Sequence, residues 1–164
     1  MTLAEAIAAW REQRSHDLAI EAWLDAGRLP AGTLEPLVSR LKPLKLPDAK
    51  RALKDIREEH GKDAFVRLFS AFEQEFRAAF CLWLGGKCGV KASVSDLAAV
   101  LPESTRSLVN LAVVLEPRLG SSRAGYVGNV IAYRNDLLHR GFVKPMSYDL
   151  ETLYVKLVEI VSLF

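Results

Sequence analysis

Along most of this chain apolar residues return at steps of three and four, the interval that lines one face of an α-helix. The clearest run lies between Asp63 and Leu84, where Phe65, Phe69, Phe72, Phe76, Phe80 and Trp83 form an aromatic ridge. It predicts a long core helix that Gly85 and Gly86 stop. At the start of the chain, Thr2 and Glu5 make a capping box ahead of Leu3, Ile7 and Trp10 at helical spacing. This first helix is expected to run on, with a break near Ser15, through Leu18, Ile20, Trp23 and Leu24 to Gly27. Pro30, Pro36, Pro43 and Pro47 limit the stretch from Arg28 to Pro47 to short helical turns and extended connections.

Downstream of the ridge, Ser93 or Ser95 caps a short helix through Leu101, and Pro102 ends it. Glu103 to Leu115 reads as another apolar helix, with Leu108, Leu111 and Val114 or Leu115 inward. Gly120, Ser121 and Ser122 cap the next, in which Val127, Val130, Ile131, Leu137 and Leu138 share a stripe. Gly125 and Gly128 lower the propensity of that helix, and their spacing suggests close approach to another helix, within the bundle or across a dimer. Ser147 to Phe164 is a terminal helix with Leu150, Tyr154, Leu157, Ile160 and Val161 inward. Period-two alternation with turn signals is absent, so the expected fold class is all-α.

Composition narrows the class. The chain has 164 residues, half of them hydrophobic and about a quarter charged, as in a soluble globular domain. A net charge of +2 gives no global field for nucleic acid, so any such contact rests on local clusters of Lys and Arg. Cys81 and Cys88 lack the paired spacing of a zinc site, and reduced thiols in the cytoplasm are the expectation. Charged residues interrupt the N-terminal apolar run, and no run of membrane-spanning length follows, which argues against a signal peptide or a membrane partner. Gly-rich phosphate loops, nucleophile elbows and acidic metal clusters are missing as well.

The chemistry concentrates between Tyr133 and Gly141. Arg134 falls within the apolar stripe, where a guanidinium that cannot shed its proton needs an anion or a set of acceptors. Asn135 and His139 lie four residues apart on one face. Together they offer a fixed cation, an amide and an imidazole, a set suited to a phosphodiester. Arg11 and His16 repeat the bare spacing, but Glu12 stands where the motif has Asn. A structural alternative is a helix C-terminus at which Arg134, His139 and Arg140 favour the dipole and Asn135 faces solvent.

Arg134, Asn135 and His139 in the order Arg-Asn-x-x-x-His, late in an all-helical chain with one more helix to follow, resemble the signature of the HEPN superfamily. The resemblance implies a four- to five-helix bundle over residues 61–164, with residues 1–60 as an N-terminal helical extension and Pro-rich connector outside it. It also implies a metal-independent endoribonuclease without cofactors, acting as a homodimer whose composite site spans the two-fold axis. Its products would be a 2′,3′-cyclic phosphate and a 5′-hydroxyl. A toxin–antitoxin or defence setting would add a protein antitoxin as partner. Some HEPN toxins carry Tyr two residues after the His, where a partner enzyme modifies it; here Gly141 holds that place.

Lys50, Lys54 and Arg57 on one face, with Arg140 beside the motif, are candidate RNA-phosphate contacts. The other reading of that face is a solvated one balanced by Asp48, Asp55, Glu58 and Glu59. Glu73 or Glu75 could face Arg134, though a solvent-facing position suits both. The rival functional classes are a non-catalytic dimerisation or nucleotide- or RNA-binding module, and an immunity or antitoxin protein.

Overall fold

The computed structural model describes residues 1–28, 36–88, 108–139 and 147–164. Among them the chain forms helices and no strand: α1 Leu3–Asp25, α2 Pro36–Leu41, α3 Leu46–Cys88, α4 Leu108–Val114, α5 Glu116–Leu119, α6 Ser121–His139 and α7 Leu150–Val161. The fold is all-α, as the hydrophobic periods require. The helix expected before Leu101, the start of the one expected from Glu103, and Arg140, Gly141 and Pro145 lie outside the described residues.

Thr2 and Glu5 close their capping box through hydrogen bonds of 3.1 and 2.7 Å. The break expected near Ser15 does not occur, and α1 continues for 23 residues. Asp17, Ile20 and Leu24 keep its buried stripe in phase, while Leu18 and Trp23, each about 100° off that stripe, stay exposed. Gly27, at φ 70°, supplies the left-handed turn at the end of the helix.

α3 runs for 43 residues, about 65 Å at the helical rise, and joins the basic stretch to the aromatic ridge in one rod. Pro47 sits in its first turn, where a missing N–H costs nothing. Gly85 and Gly86 do not stop it. Among the described residues positive φ belongs to Gly27 and Gly120 alone, so the pair lacks the left-handed turn by which glycine ends a helix. Each interior glycine costs about 1 kcal/mol, less than the roughly 1.5–3 kcal/mol gained by burying one large apolar side chain.

Two apolar clusters lie along this rod. The larger gathers Leu3, Ala6 and Ile7 of α1, Phe65 to Phe80 of α3, Leu108, Leu111 and Leu115, Leu119, Val127, Val130 and Leu137 of α6, and Leu150, Leu153, Leu157 and Ile160 of α7. Trp83, expected in the ridge, is half-buried and packs with Phe80 against the ring of Phe164. The smaller cluster joins Ile20 and Leu24, Val38 and Leu41 of α2, and Ala49 and Leu53. Position 60 falls inside α3, and the first two turns of α1 share the larger core with α6 and α7.

α1 lies antiparallel to α3, since its successive side chains meet α3 positions in falling order. The Leu3 N–H donates to Glu75 at 2.7 Å, Asp17 meets His60 at 3.0 Å, Glu21 meets Arg57 at 2.6 Å and Asp25 meets Lys50 at 2.6 Å. Later in the chain Asp149 caps α7 by accepting from the Thr152 N–H at 2.8 Å, so that helix begins later than Ser147. Besides the expected inward residues α7 buries Leu153, and Tyr154 and Val161 are half-buried against the core.

Candidate active site

α6 positions the motif. Val127, Val130, Ile131, Tyr133 and Leu137 fix its buried face. Leu138, expected on that stripe, is 46% exposed, and Tyr133 takes its place in the core. Tyr133 packs on Phe65 at 4.8 Å and Tyr148 at 5.0 Å, and its hydroxyl accepts from the Ser147 N–H at 3.3 Å. These contacts lock the helix immediately before Arg134.

Arg134 is half-buried. Its guanidinium carbon stands 5.7 Å from the ring centre of Phe69, within range of a cation–π contact, and its Nη1 donates to Asn135 Oδ1 at 3.1 Å. Its Nε is buried and has no hydrogen-bond partner among the described residues. Among the described residues Arg134 forms no ion pair. Neither glutamate proposed to face it does so: Glu73 binds Arg77 on the same helix at 2.8 Å, and Glu75 holds the α1 N-terminus.

Asn135 is half-buried beside Arg134, and His139 is exposed at the last residue of α6. Five residues turn a helix by about 140°, so the Arg134 and His139 side chains leave α6 in different directions. Within one chain the arrangement offers an anion-binding guanidinium tied to an amide, and a separate solvent-facing imidazole.

Lys50, Lys54 and Arg57 do share a side of α3, where with Glu21, Leu24 and Asp25 they line a depression of about 230 Å³. Lys50 and Arg57 are paired to Asp25 and Glu21 of α1. The carboxylates that balance this face thus come largely from α1, with Arg51–Asp48 and Lys62–Glu58 adding pairs within α3. Sequence reading missed the next rung: Asp17, only 3% exposed, is held by His60 Nδ1 and by Gln13 Nε2 at 3.1 Å. Asp17 four residues before Glu21 and eight before Asp25 was the available signal.

The glycines of α6 do not pack within the bundle. A Cβ at Gly125 or Gly128 would meet no atom of the described residues within 4 Å, so among these residues nothing closes on this side of the helix. It borders a groove against α7 lined by Ser121, Arg123, Gly125, Tyr126, Asn129 and Lys156, of about 610 Å³. Burial pushes the Tyr126 hydroxyl up to about 12, with Tyr148 adding to the effect. Cys81 is a free, buried thiol whose pKa burial also raises.

No family model, curated protein or solved structure matches this chain. Among the described residues no helix is long and apolar enough to cross a membrane, and no group of three or more His, Cys, Asp or Glu side chains is placed to hold a metal ion.

Proposed function

We propose that this protein is a HEPN-type endoribonuclease that works in the cytoplasm as a dimer, apposing the motif ends of two α6 helices. The observation that carries the reading is Arg134, a half-buried cation with a buried, unpartnered Nε and no carboxylate partner among the described residues. An arginine kept for architecture is met by a carboxylate or by carbonyls; one kept for a phosphate is left with donors to spare.

In the proposed reaction one copy's His139 takes the ribose 2′-OH proton as the 2′ oxygen bonds to phosphorus. The bond from phosphorus to the 5′ oxygen breaks, and the partner's His139 protonates that oxygen. Arg134 holds the phosphate and offsets its growing charge, and Asn135 aligns the guanidinium through the bond described above. The products are a 2′,3′-cyclic phosphate and a 5′-hydroxyl, and the nucleophile is already part of the substrate, so no metal is needed to generate one. A toxin–antitoxin or defence role, held in check by a protein antitoxin, fits such an activity.

A second reading is a non-catalytic RNA-binding or dimerisation module, favoured by the divergence of Arg134 and His139 on one helix. Total RNA treated in EDTA with wild type, Arg134→Ala and His139→Ala, followed by end-group analysis and sizing of each protein, separates the two. The expected outcome is cyclic-phosphate ends from wild type only, with all three proteins dimeric. Intact RNA throughout, or mutants that cut like wild type, would sink the catalytic reading.

A further inference from the structure

The groove between α6 and α7 lies outside the motif, and its volume of about 610 Å³ is within the usual range for a small-molecule site. Its chemistry is one-sided. Arg123 and Glu159 form an ion pair and offset each other. Lys156 remains: its Nζ stands 4.6 Å from the centre of the Tyr126 ring, which holds the ammonium at the groove wall, and no carboxylate pairs with it among the described residues. The floor is bare backbone at Gly125, where an added Cβ would touch nothing within 4 Å, so a ligand can approach the helix itself. The hydroxyls of Ser121 and Ser122 and the amide of the exposed Asn129 complete the rim.

An exposed cation without a carboxylate partner among the described residues, hydroxyl donors, an open floor and one amide fit a phosphate attached to a larger polar group, in a space that accommodates a nucleotide. From these we infer that the α6–α7 groove binds a nucleotide through its phosphate, with Lys156 as the principal contact. If the ribonuclease reading is right, this nucleotide belongs to the RNA strand at a distance from the cut bond, since Gly125 and Asn135 are ten residues, about 15 Å, apart along α6. A free mononucleotide would present the same phosphate, so both sources are tested.

The probes are a fluorescent single-stranded RNA 12-mer and AMP, titrated into wild type, Lys156→Glu, Gly125→Leu and Arg134→Ala, with anisotropy for the first and calorimetry for the second. Lys156→Glu is expected to weaken binding about tenfold and to flatten the salt dependence of RNA binding by about 0.7 in log–log slope, the loss of one phosphate contact. Gly125→Leu adds bulk to the floor while improving helix propensity, so its expected loss of binding does not come from unfolding. Effects on the 12-mer alone assign the groove to an RNA strand, and effects on AMP as well assign it to nucleotides in general. Wild-type binding of both probes by Lys156→Glu and Gly125→Leu would overturn the inference. The ribonuclease reading stands or falls separately: if wild type and Arg134→Ala bind the probes equally and neither cleaves RNA, the groove is kept and the enzyme is lost.

Discussion

Replacing Arg134 by Met separates an arginine kept for function from one kept for architecture. Methionine preserves the unbranched stem over Phe69 and removes the guanidinium. The loss includes the hydrogen bond to Asn135 Oδ1 at 3.1 Å, worth about 1 kcal/mol net, and a cation–π contact near the limit of its range at 5.7 Å, worth about 0.5 kcal/mol on a half-exposed side chain. Against this, the buried Nε without a partner costs the native protein about 1–3 kcal/mol, and that cost disappears. The balance lies between a loss of about 0.5 kcal/mol and a gain of about 1.5 kcal/mol. Urea unfolding monitored by circular dichroism measures it, alongside RNA cleavage, which the substitution should abolish. A loss of stability beyond about 2 kcal/mol would refute the reasoning, because a penalty of that size marks the removal of one partner of a buried ion pair.

Two further substitutions test the frame around the site. Asp149 and Glu151 have depressed carboxyl pKa values, the first chiefly from the Thr152 N–H and the second chiefly from Arg11. Their contribution is therefore complete above the ordinary carboxylate range and is lost as pH falls below about 4. Asp149→Ala should cost about 1 kcal/mol at neutral pH and soften the acid limb of a thermal-stability profile; an unchanged acid limb would count against the cap. Gly128→Ala meets empty space and should raise monomer stability by about 0.5–1 kcal/mol in urea unfolding; a destabilised protein would mean that a neighbour closes on that face.

The aromatic ridge was legible because five phenylalanines at helical spacing admit one arrangement, and all five are buried. The capping box at Thr2 was legible because its partners are three residues apart. Gly85 and Gly86 misled, since a local stop signal yields where the backbone does not take positive φ. The ladder from Asp17 to Asp25 was hidden for another reason: it pairs residues up to 43 apart, and nothing local says which carboxylate meets which cation. At the motif, spacing placed Arg134 on the inward side of α6 but could not show that Phe69 lies beneath it or that Glu73 and Glu75 are engaged elsewhere.

α3 belongs to both apolar clusters, yet the two are unequal. The smaller has six fully buried members, and the ion pairs beside it are partly exposed, each worth less than about 1 kcal/mol and weakened by salt. The free energy needed to open the helix is therefore expected to be lower around the smaller cluster than around the larger one. Amide protons near Ala49 and Leu53 are therefore expected to exchange through local unfolding, and those around Phe72 only when the whole molecule opens. One unbroken rod thus has a labile first third and a stable middle, and Phe69, on which Arg134 rests, sits in the stable part.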